Sequence, residues 1–527
     1  MRKAIALLTA IFIALVSAIG IAVVKNDGKL TSSASAEPTP TASESGSASA
    51  SPSPSQSETN AFVNLADYYA QKLTWTGCNE GFECSTLQVP LDYSAPEKKS
   101  ISIAVVRLPA KNAEGSLILN PGGPGGSGIE YARAASVVMT NKLRKHFDIV
   151  GFDPRGVGQS TPVDCLDDPE TDAYVAADGS PDNQQEIDET VALDKKFAEA
   201  CATKSPELFK YVDTISATRD IDILRAALGD KKLNWFGKSY GTFLGATYAG
   251  LFPDKVGRMM LDGAIDPTLT NEELSKGQAL GFENALHRFI QDCPSHKNCP
   301  LKNNETAAFT QIMSLLDKLD SNPATLSDGR KFTQAMGVTG IVGSLYDKTY
   351  GWEALRIALG DALKGDFEGL AQNVDFYTSR DAAGHYTDNS NDAIMAVNCL
   401  DRPDRATLTQ TNKLAKAWKK QAPAFGEYLA WGNLGCSYWK APATGKPEKI
   451  TAKGAPTILV VGTVNDPATP YPWAKSLAKQ LASGVLLTYT GDGHTAYFQG
   501  SKCVDKYVDN YFLNGTAPTG TVCSDGP

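Results

Sequence analysis

One pentapeptide, Gly237-Lys238-Ser239-Tyr240-Gly241, joins a hydroxyl nucleophile to the small neighbours that a sharp turn requires. Residues 233–236 before it read as a short strand, and residues 242–251 after it read as an apolar helix. A serine on such a strand-to-helix turn has a strained backbone close to adjacent elements, and Gly237 and Gly241 leave that room. The helix N-terminus behind the turn supports nearby negative charge. A Gly-x-Ser-x-Gly pattern alone is weak. Here it occurs once, in the setting that the chemistry needs.

A serine nucleophile needs a base, and the chain holds five histidines: His146, His287, His296, His385 and His494. His494 lies in Gly491-Asp-Gly-His-Thr495, just after the last strand-like run, where a loop delivers an imidazole to a sheet edge. The other four precede the nucleophile or fall in a helical insertion, and surface or structural roles are expected of them. The base needs an orienting carboxylate. Asp466 follows the strand 457–461 in Gly462-Thr-Val-Asn-Asp-Pro467; its rival Asp492 is too close in sequence to His494 to reach across to it. The order Ser239, Asp466, His494 is that of α/β-hydrolases.

A developing oxyanion needs donors. Asn120-Pro-Gly-Gly-Pro-Gly-Gly-Ser-Gly128 follows an early strand and is glycine-rich enough to expose backbone N–H groups, so Gly123 and Tyr240 are the expected donors. A phosphate loop is the competing reading, but no Gly-Lys-Ser/Thr ending follows.

These residues need a scaffold that presents strand ends side by side. Strand-like runs at 102–108, 116–120, 147–152, 233–236, 258–261, 457–461 and 485–489 alternate with helical spacing, as at 214–228. Such alternation predicts an α/β fold with a mostly parallel central sheet and helices on both faces. After Pro267 the pattern becomes helical and polar until about Gly454, an insertion between strands.

The composition agrees with a catalytic rather than a nucleic-acid-binding chain. Of 527 residues, 42% are hydrophobic, enough for a large core, and 50 Lys and Arg against 59 Asp and Glu leave a net charge of −9. With no basic excess, a nucleic-acid partner is not expected. Arg2 and Lys3 precede an apolar run from Ala4 to Val24, an export signal that is also long enough to span a bilayer. Cleavage at 16–18 or 34–36 would release the protein; retention would anchor it, and that anchor would be its one membrane contact. Residues 25–60, rich in Ser, Ala and Pro, read as a disordered spacer. Ten cysteines, none among the first 77 residues, point to an oxidising, extracytoplasmic compartment.

Several long stretches resemble secreted α/β-hydrolases of the tripeptidyl aminopeptidase group, allied to the prolyl aminopeptidases. They are residues 120–128, Gly-Phe-Asp-Pro-Arg-Gly-Val-Gly-Gln-Ser at 151–160, Gly-Lys-Ser-Tyr-Gly-Thr at 237–242, Leu-Asp-Gly-Ala-Ile-Asp-Pro at 261–267 and Asn-Asp-Pro-Ala-Thr-Pro at 465–470. Pro121 stands where prolyl aminopeptidases carry His, which favours the tripeptidyl branch.

The resemblance implies an α/β-hydrolase core in two parts, 61–267 and 455–527, the second bearing the acid and histidine, with a helical lid over 268–454. It also implies a supporting role for Asp153 and Arg155, with Arg155 paired to a carboxylate. An exopeptidase must sense a free ammonium, and Glu272, Glu273, Glu283 and Asp401 are the lid carboxylates considered for it. Nearest-neighbour pairing of cysteines gives Cys78–Cys84, Cys165–Cys201, Cys293–Cys299, Cys399–Cys436 and Cys503–Cys523, although sequence alone leaves connectivity open. With no Cys-x-x-Cys pair, disulfides are expected rather than a metal site.

The reading is an exported serine hydrolase that releases short peptides from free N-termini through an acyl-enzyme, without metal or organic cofactor. An esterase or lipid-acyl hydrolase with the same three residues is the alternative, and a non-enzymatic binding protein is disfavoured by the intact set. Oligomeric state is left open.

Overall fold

Apolar runs such as Leu117-Ile-Leu119 and Ile458-Leu-Val-Val461 are too continuous for a sheet with one wet face; they demand cover on both sides. The computed structural model, which describes residues 62–524, gives them that cover. The segments 1–24 and 25–60 discussed above lie outside the described residues.

The strands are β1 (Thr76–Gly77), β2 (Glu83–Pro90), β3 (Ser100–Leu108), β4 (Ser116–Asn120), β5 (Asp148–Phe152), β6 (Leu233–Lys238), β7 (Val256–Asp262), β8 (Ala324–Thr325), β9 (Lys331–Phe332), β10 (Ile458–Asn465), β11 (Gly484–Asp492) and β12 (Val522–Cys523). Ten form one sheet in the order β1-β2-β3-β5-β4-β6-β7-β10-β11-β12, while β8 and β9 pair separately. From β5 to β12 neighbours are parallel, and β1 to β3 make an antiparallel edge joined to β5 through β3.

Alternate residues serve opposite faces. Leu117, Leu119, Phe236, Leu459 and Val461 pack with Leu143, Val504 and Phe512. Their neighbours Ile118, Trp235, Ile458 and Val460 pack with Ile221, Leu224 and Leu244 on the other face. Helices therefore cover both sides, and the fold is that of an α/β-hydrolase.

Eight α-helices, from Asn271–Asp292 to Gly426–Trp431, occupy the chain between β7 and β10. They close on a core of their own, with Phe282, Leu286, Phe289, Phe332, Trp352 and Leu370 buried together. Ala468, from the loop after β10, is part of that same cluster, so the inserted helices and the sheet domain are packed as one. No helix among the described residues is long and apolar enough to cross a membrane.

Around Ser239 two boundaries differ from the pattern reading. The strand expected to stop at Phe236 continues to Lys238, because Gly237 pairs with Asn120 and Leu261 and Lys238 pairs with Asp262. The helix starts at Tyr240, not Thr242. The turn between them is therefore a single residue, Ser239.

Candidate active site

Ser239 has φ 53° and ψ −125°, a conformation costly for a residue with a Cβ and therefore held by its surroundings. Its N–H donates to Asp262 O at 2.9 Å, and its carbonyl accepts from the Thr242 hydroxyl at 2.6 Å. A Cβ at Gly237 would lie 2.3 Å from Gly241 O, and one at Gly241 would lie 2.7 Å from Asn120 Oδ1. Both glycines let strand, turn and helix approach one another more closely than any side chain would allow.

Asp466 follows β10 and His494 follows β11, parallel neighbours whose ends adjoin. His494 Nδ1 lies 2.8 Å from Asp466 Oδ1 and 3.1 Å from Oδ2. An ionised carboxylate only accepts, so Nδ1 carries a proton, and in the neutral imidazole Nε2 keeps its lone pair. The carboxylate is fixed by the N–H groups of Ala468 (3.0 Å), Thr469 (2.8 Å) and Thr495 (3.0 Å) and by the Thr469 hydroxyl (3.0 Å). Among the described residues, the buried His494 Nε2 has no hydrogen-bond partner. The peptide Asp262–Gly263 links the imidazole to the serine. Its carbonyl at Asp262 holds the Ser239 N–H, and a Cβ on Gly263 would come 3.3 Å from His494 Cε1.

The glycine-rich loop after β4 lies against the serine. A Cβ on Gly122 would be 2.7 Å from Ser239 Cβ and 2.9 Å from Tyr240 N. Gly122 itself has φ +103° and donates its N–H to Asn120 Oδ1 at 3.0 Å. Among the described residues the N–H groups of Gly123 and Tyr240 have no acceptor. Asp153 ties this loop down, accepting from the Ser127 hydroxyl (2.5 Å) and the N–H groups of Ile129 (3.2 Å) and Gln159 (2.8 Å). Arg155 is fully buried and makes a two-pronged pair with Asp220, both bonds 2.7 Å, while donating to the carbonyls of Pro90, Leu91 and Tyr211.

The lid carboxylates are dispersed over other tasks. Glu273 caps its own helix at Thr270, and Glu272 is exposed beside it. Glu283 is buried; one oxygen accepts from Ala424 N at 3.0 Å, and the other makes no hydrogen bond among the described residues but lies 3.8 Å from His287 Nε2. Burial raises its pKa. Asp401 accepts from the Thr214 N–H (2.8 Å) and hydroxyl (2.5 Å), and that hydroxyl also bonds the Tyr240 phenol at 2.5 Å. Burial pushes Asp401 up to about 6. Asp492 faces Arg288 and Lys348, both from the inserted helices, and so is engaged away from the imidazole. The other four histidines each meet a carboxylate away from this centre: His146 with Glu114, His287 with Glu305, His296 with Asp292, and His385 with Asp168.

One contributor left no trace in the sequence pattern. Tyr346, from the inserted helices, accepts the His494 N–H through its carbonyl at 2.7 Å and sets its ring edge-on to the imidazole, 5.3 Å between centroids. Thr469 stands inside a stretch singled out above, but only the structure gives its hydroxyl a role on Asp466.

Residues 422–523 match the model of the TAP-like protein family. Serine protease Hip1 of Mycobacterium tuberculosis (strain ATCC 25618 / H37Rv) is 36% identical over 479 residues, covering 86% of this chain and 91% of that protein. The chain belongs to the TAP-like α/β-hydrolases. Another relative of this TAP-like hydrolase, carboxylesterase B of the same strain, is 36% identical over 473 residues, 86% of this chain and 90% of that one. Tripeptidyl aminopeptidase of Streptomyces coelicolor is 32% identical over 443 residues, 82% of this chain and 81% of that one. The TAP-like hydrolase is thus an enzyme, a serine hydrolase. All ten of its cysteines are joined, as Cys78–Cys84, Cys165–Cys201, Cys293–Cys299, Cys399–Cys436 and Cys503–Cys523, which suits an extracytoplasmic protein.

Proposed function

We propose that the enzyme is an exported serine peptidase that cleaves short peptides, tripeptides among them, from free N-termini through Ser239, His494 and Asp466. The observation that carries this reading is the imidazole of His494, with Nδ1 held by Asp466 at 2.8 Å and Nε2 buried and unpartnered at the strand ends that also hold Ser239. Ser239 Oγ attacks the acyl carbonyl while its proton passes to His494 Nε2, and the Asp466 carboxylate stabilises the imidazolium. The oxyanion takes the N–H groups of Gly123 and Tyr240. The imidazolium then protonates the leaving amine, the C–N bond breaks and the acyl group remains on Ser239. Water, deprotonated by the same imidazole, releases it. No cofactor enters these steps.

The relatives named serine protease and tripeptidyl aminopeptidase favour a peptide substrate. The relative named carboxylesterase B favours the second reading, an esterase acting through the same residues. Peptide anilides with free and with acetylated N-termini, set against short and long acyl esters, separate the two. Preference for the free amine is expected, lost in Ser239→Ala; indifference to the amine refutes the exopeptidase reading, and full activity in Ser239→Ala refutes the mechanism.

A further inference from the structure

His494 sits in a segment without helix or sheet of its own, and the bonds that hold that segment come from elsewhere. Thr495 and Phe498 are non-glycine residues with φ of 67° and 58°. A backbone so strained persists only when its surroundings overdetermine it. Five successive N–H groups are each caught by another element: His494 by Tyr346 O, Thr495 by Asp466, Ala496 and Tyr497 by Asp262, and Phe498 by Asp505.

Two of these ties meet at the nucleophile. Asp262 ends β7; its carboxylate accepts from Ala496 N at 3.0 and 3.1 Å and from Tyr497 N at 2.9 Å, while its carbonyl accepts the Ser239 N–H at 2.9 Å. Lys238, immediately before Ser239, donates its ammonium to Tyr497 O at 2.8 Å and stands 4.0 Å from Asp262 Oδ2. Both side chains are buried. A buried ion pair is weak evidence of stabilisation, because well-packed apolar residues of similar volume often do as well. This pair is instead the junction between the serine turn and the histidine loop.

We infer that Lys238 and Asp262 are positioning residues which set His494 Nε2 against Ser239 Oγ by clamping residues 496–497 to the serine turn. The inference rests on the proposed roles of Ser239 and His494. Burial lowers the Lys238 pKa, against which Asp262, Asp505 and Asp347 favour its charged form. Asp466 also faces the imidazole, on Nδ1, and Asp492, two residues away, is held by Arg288 and Lys348.

The experiment compares wild type, Lys238→Met, Asp262→Asn, the double variant and Ser239→Ala, using p-nitrophenyl butyrate hydrolysis, fluorophosphonate labelling and thermal melting. A misplacement of about 1 Å lowers kcat on the order of 10–100-fold, and KM is expected to stay within about threefold. The pH profile supplies a readout that mere destabilisation does not move. Lys238→Met leaves Asp262 unopposed, favouring the imidazolium, so the acidic limb of kcat/KM moves to higher pH by about half a unit. Asp262→Asn moves it to lower pH, and the double variant restores the limb while kcat stays low. If Asp262→Asn is not recovered folded, Lys238→Met and the double variant decide the matter. A Lys238→Met enzyme with wild-type kcat and an unmoved limb overturns the inference. Labelling retained in Ser239→Ala overturns the underlying assignment instead.

Discussion

Replacing Asp466 by asparagine tests the acid's role quantitatively, because the structure dictates how the amide must sit. Oδ1 receives His494 Nδ1 at 2.8 Å and the N–H groups of Ala468 and Thr469 at 3.0 and 2.8 Å. Oδ2 receives the Thr469 hydroxyl and Thr495 N–H, both at 3.0 Å, and lies 3.1 Å from His494 Nδ1. An amide oxygen at Oδ1 leaves one backbone donor, Thr495 N–H, facing an NH2 group. Turned over, it leaves two, Ala468 and Thr469. The first orientation is favoured by one unsatisfied N–H, about 1–3 kcal/mol. The imidazole then still finds an acceptor for Nδ1–H and keeps its tautomer, but loses the negative charge that stabilises the imidazolium.

Loss of charge without loss of tautomer costs about 3–4 kcal/mol in the transition state, hence a fall of about 10²–10³-fold in kcat/KM. An amide that turned its NH2 to the imidazole would force the other tautomer, with a loss nearer 10⁴. Steady-state hydrolysis of an acyl ester and a peptide anilide, beside wild type and Ser239→Ala, measures the difference. A loss below tenfold refutes the role of Asp466, and a loss of 10⁴ or more refutes the counting of donors that set the amide's orientation.

Two further expectations concern the scaffold. Arg155→Met strips Asp220 and three backbone carbonyls of their buried donor, so it destabilises by about 3–5 kcal/mol, read as a lower midpoint in urea unfolding. Asp194 is buried with no hydrogen bond or ion pair among the described residues, and burial alone pushes it up to about 7. The fold therefore favours its protonated form, and the stability this contributes at low pH is lost as pH rises from about 4 to about 7. Asp194→Asn should match wild type in melting temperature at pH 4 and exceed it by about 2–4 °C at pH 8; an advantage that is equal at both pH values would refute the titration argument.

The parts of the molecule built from strand ends were legible because their signals are local. Ser239 announces itself through the glycines that its turn requires, and Asp466 and His494 through apolar runs that stop just before them. Arg155 could be expected to find a carboxylate, but that the partner is Asp220 depends on a packing 65 residues away in the chain. The lid acids could not be ranked for the same reason. Glu273 and Asp401 are alike as sequence, yet one caps a helix in solvent and the other is buried under Thr214. Lys238 and Asp262 were visible only as members of matching stretches. Their pairing follows from the register of β6 on β7, which no periodicity in either strand discloses.

The inserted helices also bear on the proposed site. Contacts from the insertion reach three points close to Asp466 and His494. Gln278 donates to Ala468 O at 3.0 Å, Arg288 and Lys348 bind Asp492, and Tyr346 O takes the His494 N–H. A cover that swung away as a unit would have to release all three and expose Phe282 and Ala468 from their common core. It would also withdraw the bond that holds the histidine backbone. The inserted helices are therefore packed and bonded into the segments that hold Asp466 and His494. If His494 is the base, a change in these helices that shifts Tyr346 also shifts the imidazole.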